Sequence, residues 1–248
     1  MSVKVLGVKI DQVTMDGAVS QVAEMIAQRG PHLVITANSE MVMLANHDPL
    51  LYQIIDRADL VVADGIGVVW ASRMLGKPLR QRIPGVELME AVLARSVESK
   101  WKVFLLGGEP GVTDEAGAKL LQLYPGLQIV GSHHGFFRKE EEEQVFASIK
   151  AVRPDILFIA LGVPKQEKWA AAYLAHLDVP VAMGVGGSLN IFAGRASRGP
   201  KWMQRYGLEW LYRLLKQPWR AGRMLALPQF ALWVVLERLM LRGDFPYE

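Results

Sequence analysis

The chain of 248 residues is long enough for one large domain with a buried core, and its 51% hydrophobic and 21% charged residues exclude wholesale disorder. It contains no cysteine, which excludes a disulfide framework and a thiolate zinc site. The net charge of +3 is unevenly spread, because residues 195–248 carry ten Lys and Arg against four Asp and Glu, whereas residues 1–194 carry a net charge of −3.

Short apolar runs alternate with amphipathic stretches along the chain. Residues 3–13 predict a β-hairpin or an edge strand, and a helix is predicted over residues 16–28. Further strands are predicted at residues 32–37, 60–64, 102–107, 128–131, 156–162 and 181–185, and helices at residues 86–99, 113–124, 140–152 and 165–177. The alternation indicates an α/β fold, a Rossmann-like and mostly parallel sheet with helices on both faces. We assign residues 1–194 to this catalytic domain and residues 195–248 to a basic, Trp-rich helical appendage, called the tail below.

Glycines and polar residues collect where the predicted strands end. In an open parallel sheet, ligands bind beyond the carboxyl ends of the strands. Glycine-rich turns are common in α/β proteins, but several that also carry polar residues favour a ligand cleft. The stretches are Thr36–Asn38, Asp64–Gly67, Gly107–Gly108, Gly131–Gly135, Gly162–Gln166 and Gly184–Asn190.

The loop after Asp64 begins like a dinucleotide-binding fingerprint but does not complete it. Gly65 and Gly67 have the required spacing, whereas Trp70 stands in place of the third small residue. Glu87 lies at about the distance expected of the ribose-binding acid, yet it opens a predicted helix instead of ending a strand. This counts against a nicotinamide-dependent oxidoreductase. Walker A, nucleophile-elbow and metal-binding patterns are also missing, so no metal is expected.

Asp64 has two possible roles. A carboxylate at the tip of a valine-rich strand is partly desolvated, which favours a general base. The alternative is an N-cap for the helix predicted to begin near Ile66, a position that aspartate suits well. The spacing alone leaves both roles open.

Six separated motifs occur in order along essentially the whole chain. They are Thr36–Glu40, Ala63–Gly67, Arg80–Gly85, Leu105–Gly108, Gly162–Trp169, and Arg198–Trp202 running into Gly207–Arg213. Together they resemble the WecG/TagA/CpsF family of bacterial glycosyltransferases, glycosyltransferase family 26. The resemblance implies transfer, with inversion and without a cofactor, of an N-acetylmannosamine-type sugar from a UDP donor. The acceptor would be the 4-hydroxyl of N-acetylglucosamine on undecaprenyl diphosphate, in the synthesis of wall teichoic acid or a related surface polysaccharide.

The resemblance also implies roles for single residues. Asp64 would be the general base, and Thr36, Asn38, Arg82 and Gln166 would line the same pocket. The glycine turns are expected to offer backbone N–H groups to the leaving UDP, and the tail arginines to meet its diphosphate. Without the resemblance, those arginines would be taken for the solvated face of an amphipathic helix. The substrate-binding set is Gly107, Gly108, Gly135, Gly162, Lys165, Gly187, Asn190, Arg213, Arg220 and Arg223.

One departure concerns Asn190, which stands where the family pattern has an aspartate. A neutral amide can still form a hydrogen bond with a base or a ribose. The contact expected there is therefore less well defined than the others.

The sequence of the tail predicts that it contacts a membrane surface. No segment has the about 20 uninterrupted apolar residues of a membrane span, and the first residues lack a signal-peptide pattern, so a cytoplasmic protein is expected. Residues 224–236 are apolar, interrupted by Pro228 and flanked by basic residues, as in a helix lying on an anionic bilayer. We therefore expect a peripheral protein on the inner face of the cell membrane. Packing of tails in a homo-oligomer is the competing explanation.

A nucleic-acid-binding protein is the remaining alternative. Interleaved Trp and Arg in the tail suit stacking on bases. This alternative leaves the polar strand ends of residues 1–194 unexplained, so no nucleic-acid partner is expected.

Overall fold

The computed structural model describes residues 1–216, 218 and 221–242, without the side chains of Lys139, Arg213, Ala221, Arg223, Leu241 and Arg242. Its strands are β1 (Ser2–Val5), β2 (Val8–Asp11), β3 (His32–Ala37), β4 (Leu60–Ala63), β5 (Lys102–Gly107), β6 (Gln128–His133), β7 (Ile156–Ala160) and β8 (Val181–Gly184). Its helices are α1 (Met15–Gln28), α2 (Ser39–His47), α3 (Pro49–Arg57), α4 (Ile66–Met74), α5 (Gly85–Ser99), α6 (Val112–Leu123), α7 (Glu142–Val152, after a 3₁₀ turn at Lys139–Glu141), α8 (Lys165–Leu177), α9 (Ser188–Phe192), α10 (Lys201–Arg205), α11 (Glu209–Lys216), α12 (Ala221–Met224) and α13 (Ala226–Arg242).

Six strands form one parallel sheet in the order β4-β3-β8-β7-β5-β6. The predicted α/β class is therefore confirmed. Strands β1 and β2 form the predicted hairpin as a separate antiparallel sheet.

The hydrophobic core consists of two layers, one on each face of the sheet. Along β3, Leu33 and Ile35 face one layer with residues of α2, α3 and α8, whereas Val34 faces the other with residues of α1 and α5. Both faces of each central strand are thus covered. This explains why the strands are continuous apolar runs instead of alternating ones.

Strands β5 and β7 are parallel neighbours in the sheet, and the connections that leave them run in opposite directions across it. From β5 it continues outward to β6, and from β7 it continues the other way to β8. The loops that follow these two strands therefore diverge and leave a crevice between them. Such switch points are where open α/β sheets bind ligands.

The last helix, α13, packs against α2 and α4. Its residues Phe230 and Val234 are fully buried in the same core layer as α2. Gly67 allows α4 to approach α2 closely beneath α13, since a Cβ there would collide with Ser39 Oγ, whereas the Phe230 ring would be in ordinary contact with it at 3.7 Å. Among the described residues, no helix is both long and apolar enough to cross a membrane.

We predict that Phe230→Ala lowers the free energy of unfolding by about 3 kcal/mol, because it removes a fully buried ring and leaves a cavity. Urea denaturation of the full chain measures this. The matched control is Leu232→Ala in the same helix, whose side chain is exposed and whose loss should cost less than about 0.5 kcal/mol. Equal stability of the two variants would contradict the docking of α13.

Candidate active site

Asp64 follows β4 directly and is half-buried. Its N–H donates to the Ala37 carbonyl at 2.9 Å, and its Oδ1 accepts from the N–H of Gly85, the first residue of α5, also at 2.9 Å. The alternative role as N-cap of α4 is wrong, because Gly65 caps that helix without a side-chain hydrogen bond. The carboxylate therefore stands at the positive end of α5, where a helix favours a negative charge.

Residues 82–85 run along the end of β4 and hold it. Besides the bond to Oδ1, the Ile83 N–H donates to the Ala63 carbonyl at 2.8 Å, and Arg82 Nε donates to the Asp64 carbonyl at 2.8 Å. Three contacts, from residues 82, 83 and 85, thus fix the backbone of residues 63 and 64 and the side chain of Asp64. The geometry suits a base that has to be kept in one orientation.

Thr36 and Asn38 lie beside Asp64 because two glycines allow close approach. A Cβ on Gly85 would lie 3.1 Å from Thr36 Oγ1, and a Cβ on Gly65 would lie 3.2 Å from Asn38 Cβ. Thr36 Oγ1 also donates to the Gly184 carbonyl at 3.3 Å, which joins the ends of β3 and β8. The predicted grouping of Thr36 and Asn38 with Asp64 is thus seen in space.

The Asn38 carboxamide has a defined orientation. Its Oδ1 accepts from the Met41 N–H at 2.9 Å and caps α2, so its NH₂ group must point the other way. Within the described part of the chain, that NH₂ group donates no hydrogen bond. The Asn38 NH₂ group is therefore a hydrogen-bond donor that a ligand can use next to Asp64.

Arg82 lies at the predicted site, but its guanidinium is engaged by the protein. In addition to the Asp64 carbonyl, it donates to the Gln204 carbonyl at 3.1 Å and to Glu209 Oε2 at 2.8 Å. Its place in the structure is that of a clamp between the end of β4 and the segment that carries α10 and α11.

An ion-pair network continues from this clamp, and we call it the tail network (Arg82, Glu209, Arg198 and Glu87). Arg198 Nε donates to Glu209 Oε1 at 3.2 Å, and Arg198 Nη2 donates to Glu87 Oε1 at 2.8 Å. Burial alone would raise the pKa of Glu209, but the hydrogen bonds from Arg82 and Arg198 outweigh it and hold the pKa below its usual value. The network fastens the beginning of the tail to α5 and to the end of β4.

Gln166 is only 2% exposed and lies under the loop that follows β8. Its Oε1 accepts from the Gly186 N–H at 3.1 Å, and its Nε2 donates to Glu167 Oε1 at 2.7 Å. Glu167 is equally buried, and this burial raises the pKa of its carboxyl to about 7. The sequence placed Gln166 in the pocket but gave no role to Glu167.

A cleft of about 440 Å³ opens at the switch point between β5 and β7. Lys165 lies at its edge, with Nζ 5.5 Å from the centre of the Phe137 ring, and Phe136 is largely exposed beside it. Sequence analysis missed five residues of this cleft, Phe136, Phe137, Arg138, Ala160 and Leu161, although two aromatics and an arginine directly after Gly135 were a usable signal. The lining residues are Gly108, Gly135, Phe136, Phe137, Arg138, Ala160, Leu161 and Lys165.

The glycines at the cleft allow the ends of neighbouring strands to pack closely. Gly107 has φ +127°, and a Cβ there would collide with the Ala160 carbonyl. The Gly108 N–H donates to Ala160 at 3.0 Å, and the Gly135 N–H donates to Gly108 at 2.8 Å. Because these two N–H groups are used inside the protein, close packing of three strand ends accounts for the glycines.

The other predicted substrate-binding residues are more scattered. Gly162 and Gly187 both border open space, and Asn190 lies in α9, where its carbonyl accepts from the Arg195 and Ala196 N–H groups. Arg220 and the side chains of Arg213 and Arg223 lie outside the described residues.

We predict that Glu209→Gln lowers the free energy of unfolding at pH 7 by about 2 kcal/mol, since two partly buried arginines lose their shared counter-charge. The depressed pKa means that this stabilisation is present above the usual glutamate range and is lost as the pH falls through the folded value. Denaturation at several pH values should therefore show variant and wild type converging in acid. The control is Glu98→Gln, which breaks an exposed pair with Arg95 and should change little. A constant difference at all pH values would contradict the role of charge.

Comparisons with known proteins identify the family of the chain. A sequence profile described as the glycosyl transferase WecG/TagA/CpsF family matches residues 3–244. Two relatives from Staphylococcus aureus, of strains MW2 and MRSA252, are 39% and 38% identical over 230 residues, 92% of this chain and 90% of each relative. Both are named N-acetylglucosaminyldiphosphoundecaprenol N-acetyl-beta-D-mannosaminyltransferase. The resemblance drawn from the six motifs is confirmed, and neither the oxidoreductase nor the nucleic-acid-binding alternative is favoured. The chain belongs to the glycosyl transferase WecG/TagA/CpsF family.

Proposed function

We propose that the chain transfers N-acetylmannosamine from a UDP donor to the 4-hydroxyl of N-acetylglucosamine on undecaprenyl diphosphate, with inversion at the sugar carbon. The names of the relatives support this acceptor and this sugar. The observation that carries the proposal is Asp64, a carboxylate held by the start of α5 beside the Asn38 NH₂ group, which donates no hydrogen bond to any residue that the structure describes. Wall teichoic acid or a related surface polysaccharide is the proposed product pathway.

Asp64 acts as the general base. The acceptor oxygen attacks the anomeric carbon as the bond from that carbon to the diphosphate oxygen breaks, and the hydroxyl proton passes to the Asp64 carboxylate. The bond from the Gly85 N–H stabilises the ionised carboxylate, which is the form that a base needs. Attack from the face opposite the leaving group inverts the configuration.

Asn38 and Thr36 orient the acceptor. The Asn38 NH₂ group points away from the helix that its oxygen caps, and so can donate to a sugar oxygen. Thr36 ties the ends of β3 and β8 together and keeps the floor of the site in place. Arg82 has a supporting role in this proposal, because each of its three guanidinium nitrogens already donates one hydrogen bond to the protein.

The donor occupies the cleft at the switch point. Lys165 and Arg138 supply positive charge for the leaving UDP, and exposed Phe136 offers a surface on which a uracil ring can stack. Strand β4 lies three strands from β7, about 14 Å at the usual strand spacing. An extended nucleotide-diphosphate sugar can span a separation of this order, with its uracil ring on Phe136 at one end, its diphosphate passing Lys165 and its sugar at the end nearer Asp64.

The proposal is tested with purified protein, a panel of UDP-sugars and a short-chain lipid-diphosphate N-acetylglucosamine acceptor. We expect transfer from UDP-N-acetylmannosamine. Asp64→Asn should lower kcat by about 10²–10⁴-fold, because the amide keeps an acceptor for the Gly85 N–H but cannot take a proton. Binding of UDP, measured by calorimetry, should remain.

The matched control is Asp155→Asn, at the opposite, amino ends of the strands. Asp155 also accepts a backbone N–H, that of Lys102, at 2.8 Å. Its variant should transfer sugar at the wild-type rate. Unchanged turnover in Asp64→Asn would remove Asp64 as the base, and transfer from another UDP-sugar alone would change the assigned donor.

We further propose that the beginning of the tail docks on an anionic membrane that carries the acceptor. Trp202 is 58% and Tyr206 is 72% exposed, and Trp210 is also exposed nearby in sequence. Lys201 and Arg205 lie in the same helix, α10, as Trp202. Aromatic rings and basic groups together suit the interface of an anionic bilayer. The tail network would hold this surface close to the end of β4.

The double variant Trp202→Ser/Tyr206→Ser should bind vesicles of phosphatidylglycerol and phosphatidylcholine at least about tenfold more weakly, because both aromatic anchors are lost. Co-sedimentation measures this. The control is Leu121→Ser/Leu123→Ser on α6, which removes two exposed apolar side chains elsewhere. Unchanged vesicle binding would contradict the proposal. A changed sedimentation coefficient without vesicles would instead favour contacts between copies of the chain.

A further inference from the structure

Glu167 is a buried carboxyl group that the proposed chemistry does not use. Its Oε1 accepts from Gln166 Nε2 at 2.7 Å, and its Oε2 is buried without a hydrogen-bond partner among the described residues. Burying a carboxyl group with an unpaired oxygen is costly. Such a group calls for a reason other than fold stability.

Charged neighbours do not provide that reason. On α8 itself, Lys168 pairs with Asp48 before α3. From α7, Glu142 accepts from Trp169 and Tyr173. Strands β7 and β8 have no titratable side chain in their ranges, and His32 of β3 pairs with Asp59. Among the described residues, the carboxyl group of Glu167 therefore has Gln166 as its side-chain partner.

The contact with Glu167 decides which way the Gln166 carboxamide points. Gln166 Oε1 faces the Gly186 N–H, and Nε2 faces Glu167. When Glu167 is ionised, a rotation of 180° would bring NH₂ against an N–H donor and oxygen against a carboxylate oxygen, so both contacts would be repulsive. One orientation is thus strongly favoured.

The end of β8 is built around this pair. A Cβ on Gly184 would lie 2.7 Å from Gln166 Nε2 and 3.2 Å from Glu167 Oε1, so the strand packs directly on both side chains. The next turn, at Gly186 and Gly187, borders open space on its other side. The Gly184 carbonyl accepts from Thr36, which lies beside Asp64. The pair therefore supports the backbone that forms one wall of the site.

We propose that Glu167 is a positioning residue, whose carboxyl group fixes the Gln166 carboxamide and through it the Gly186–Gly187 turn of the substrate site. The inference rests on the proposed function for its kinetic test. The hydrogen bonds run from the Gly186 N–H to Gln166 and from Gln166 to Glu167, so loss of the last acceptor frees the first two groups. Misplacement of a substrate-bearing backbone by about 1 Å can cost up to 100-fold in rate.

Two variants of the full chain separate positioning from stability. Glu167→Met fills a similar volume without an acceptor, and Glu167→Gln keeps one for Gln166 Nε2. At pH 8, Glu167→Met should lower kcat by about 10–100-fold with the KM for UDP-N-acetylmannosamine within about twofold, and Glu167→Gln should stay within about threefold of wild type. Glu142→Gln, which changes a carboxylate on the other side of α8, is the matched control and should retain activity.

The Tm at pH 8 tells whether the loss of activity is structural. The raised pKa of Glu167 means that its contribution to stability is present below the ordinary glutamate range and is lost as the pH rises through about 7. Glu167→Met should therefore melt at the wild-type temperature or higher at pH 8 while being less active. A fall in kcat that only follows a fall in Tm would overturn the proposal, as would a kcat within twofold of wild type. An equal loss in both variants would also overturn it, because the retained oxygen would then make no difference.

Amide hydrogen exchange keeps this inference separate from the proposed function. Exchange at the Gly186 N–H should become at least about tenfold faster in Glu167→Met and stay near wild type in Glu167→Gln. If wild-type protein transfers no sugar, the proposed function fails, and faster exchange would still support positioning. Unchanged exchange in both variants would overturn it.

Discussion

The orientation of the candidate base is tied to the start of α5 by the hydrogen bond from the Gly85 N–H to Asp64 Oδ1. This bond requires α5 to begin against the end of β4, and the absence of a side chain at residue 85 lets it do so without pressing on Thr36. The glycine therefore bears on two features together, the orientation of the carboxylate and the close packing of α5 on Thr36. A Cβ there would lie 3.1 Å from Thr36 Oγ1, so Thr36, beside the proposed base, would have to shift by a few tenths of an ångström.

The tail network extends this constraint to distant parts of the chain. Arg82 is held by the Asp64 carbonyl on one side and by Gln204 and Glu209 on the other. A change in the position of α11 therefore reaches the backbone of the base through one guanidinium. Buried ion pairs contribute little net stability but fix geometry, since a misplaced charge is left unpaired. This gives the proposed membrane surface on α10 a physical connection to Asp64.

The fold could be predicted because both faces of the parallel sheet are covered, which turns each central strand into a continuous apolar run such as Ile156–Ala160. The bounds of α8 match the prediction at both ends. Thr36, Asn38 and Asp64 could be grouped because they lie at the carboxyl ends of two neighbouring parallel strands, where open α/β sheets bind ligands. The partners of Arg82 could not be predicted, because Gln204 and Glu209 are more than a hundred positions away and their contact depends on packing. For the same reason, no periodicity could show that the Gly108 and Gly135 N–H groups are used internally.

The beginning of α8 joins the two halves of the candidate site. Successive residues on a helix point about 100° apart. Lys165 accordingly lines the cleft, Gln166 holds the Gly186 turn, and Glu167 lies buried beneath it. A displacement of this helix start would move the cation of the donor cleft and the wall beside Thr36 at the same time. The buried Gln166–Glu167 pair opposes such a displacement, so in the proposed arrangement it holds the donor cleft and the base at a set distance from inside the protein.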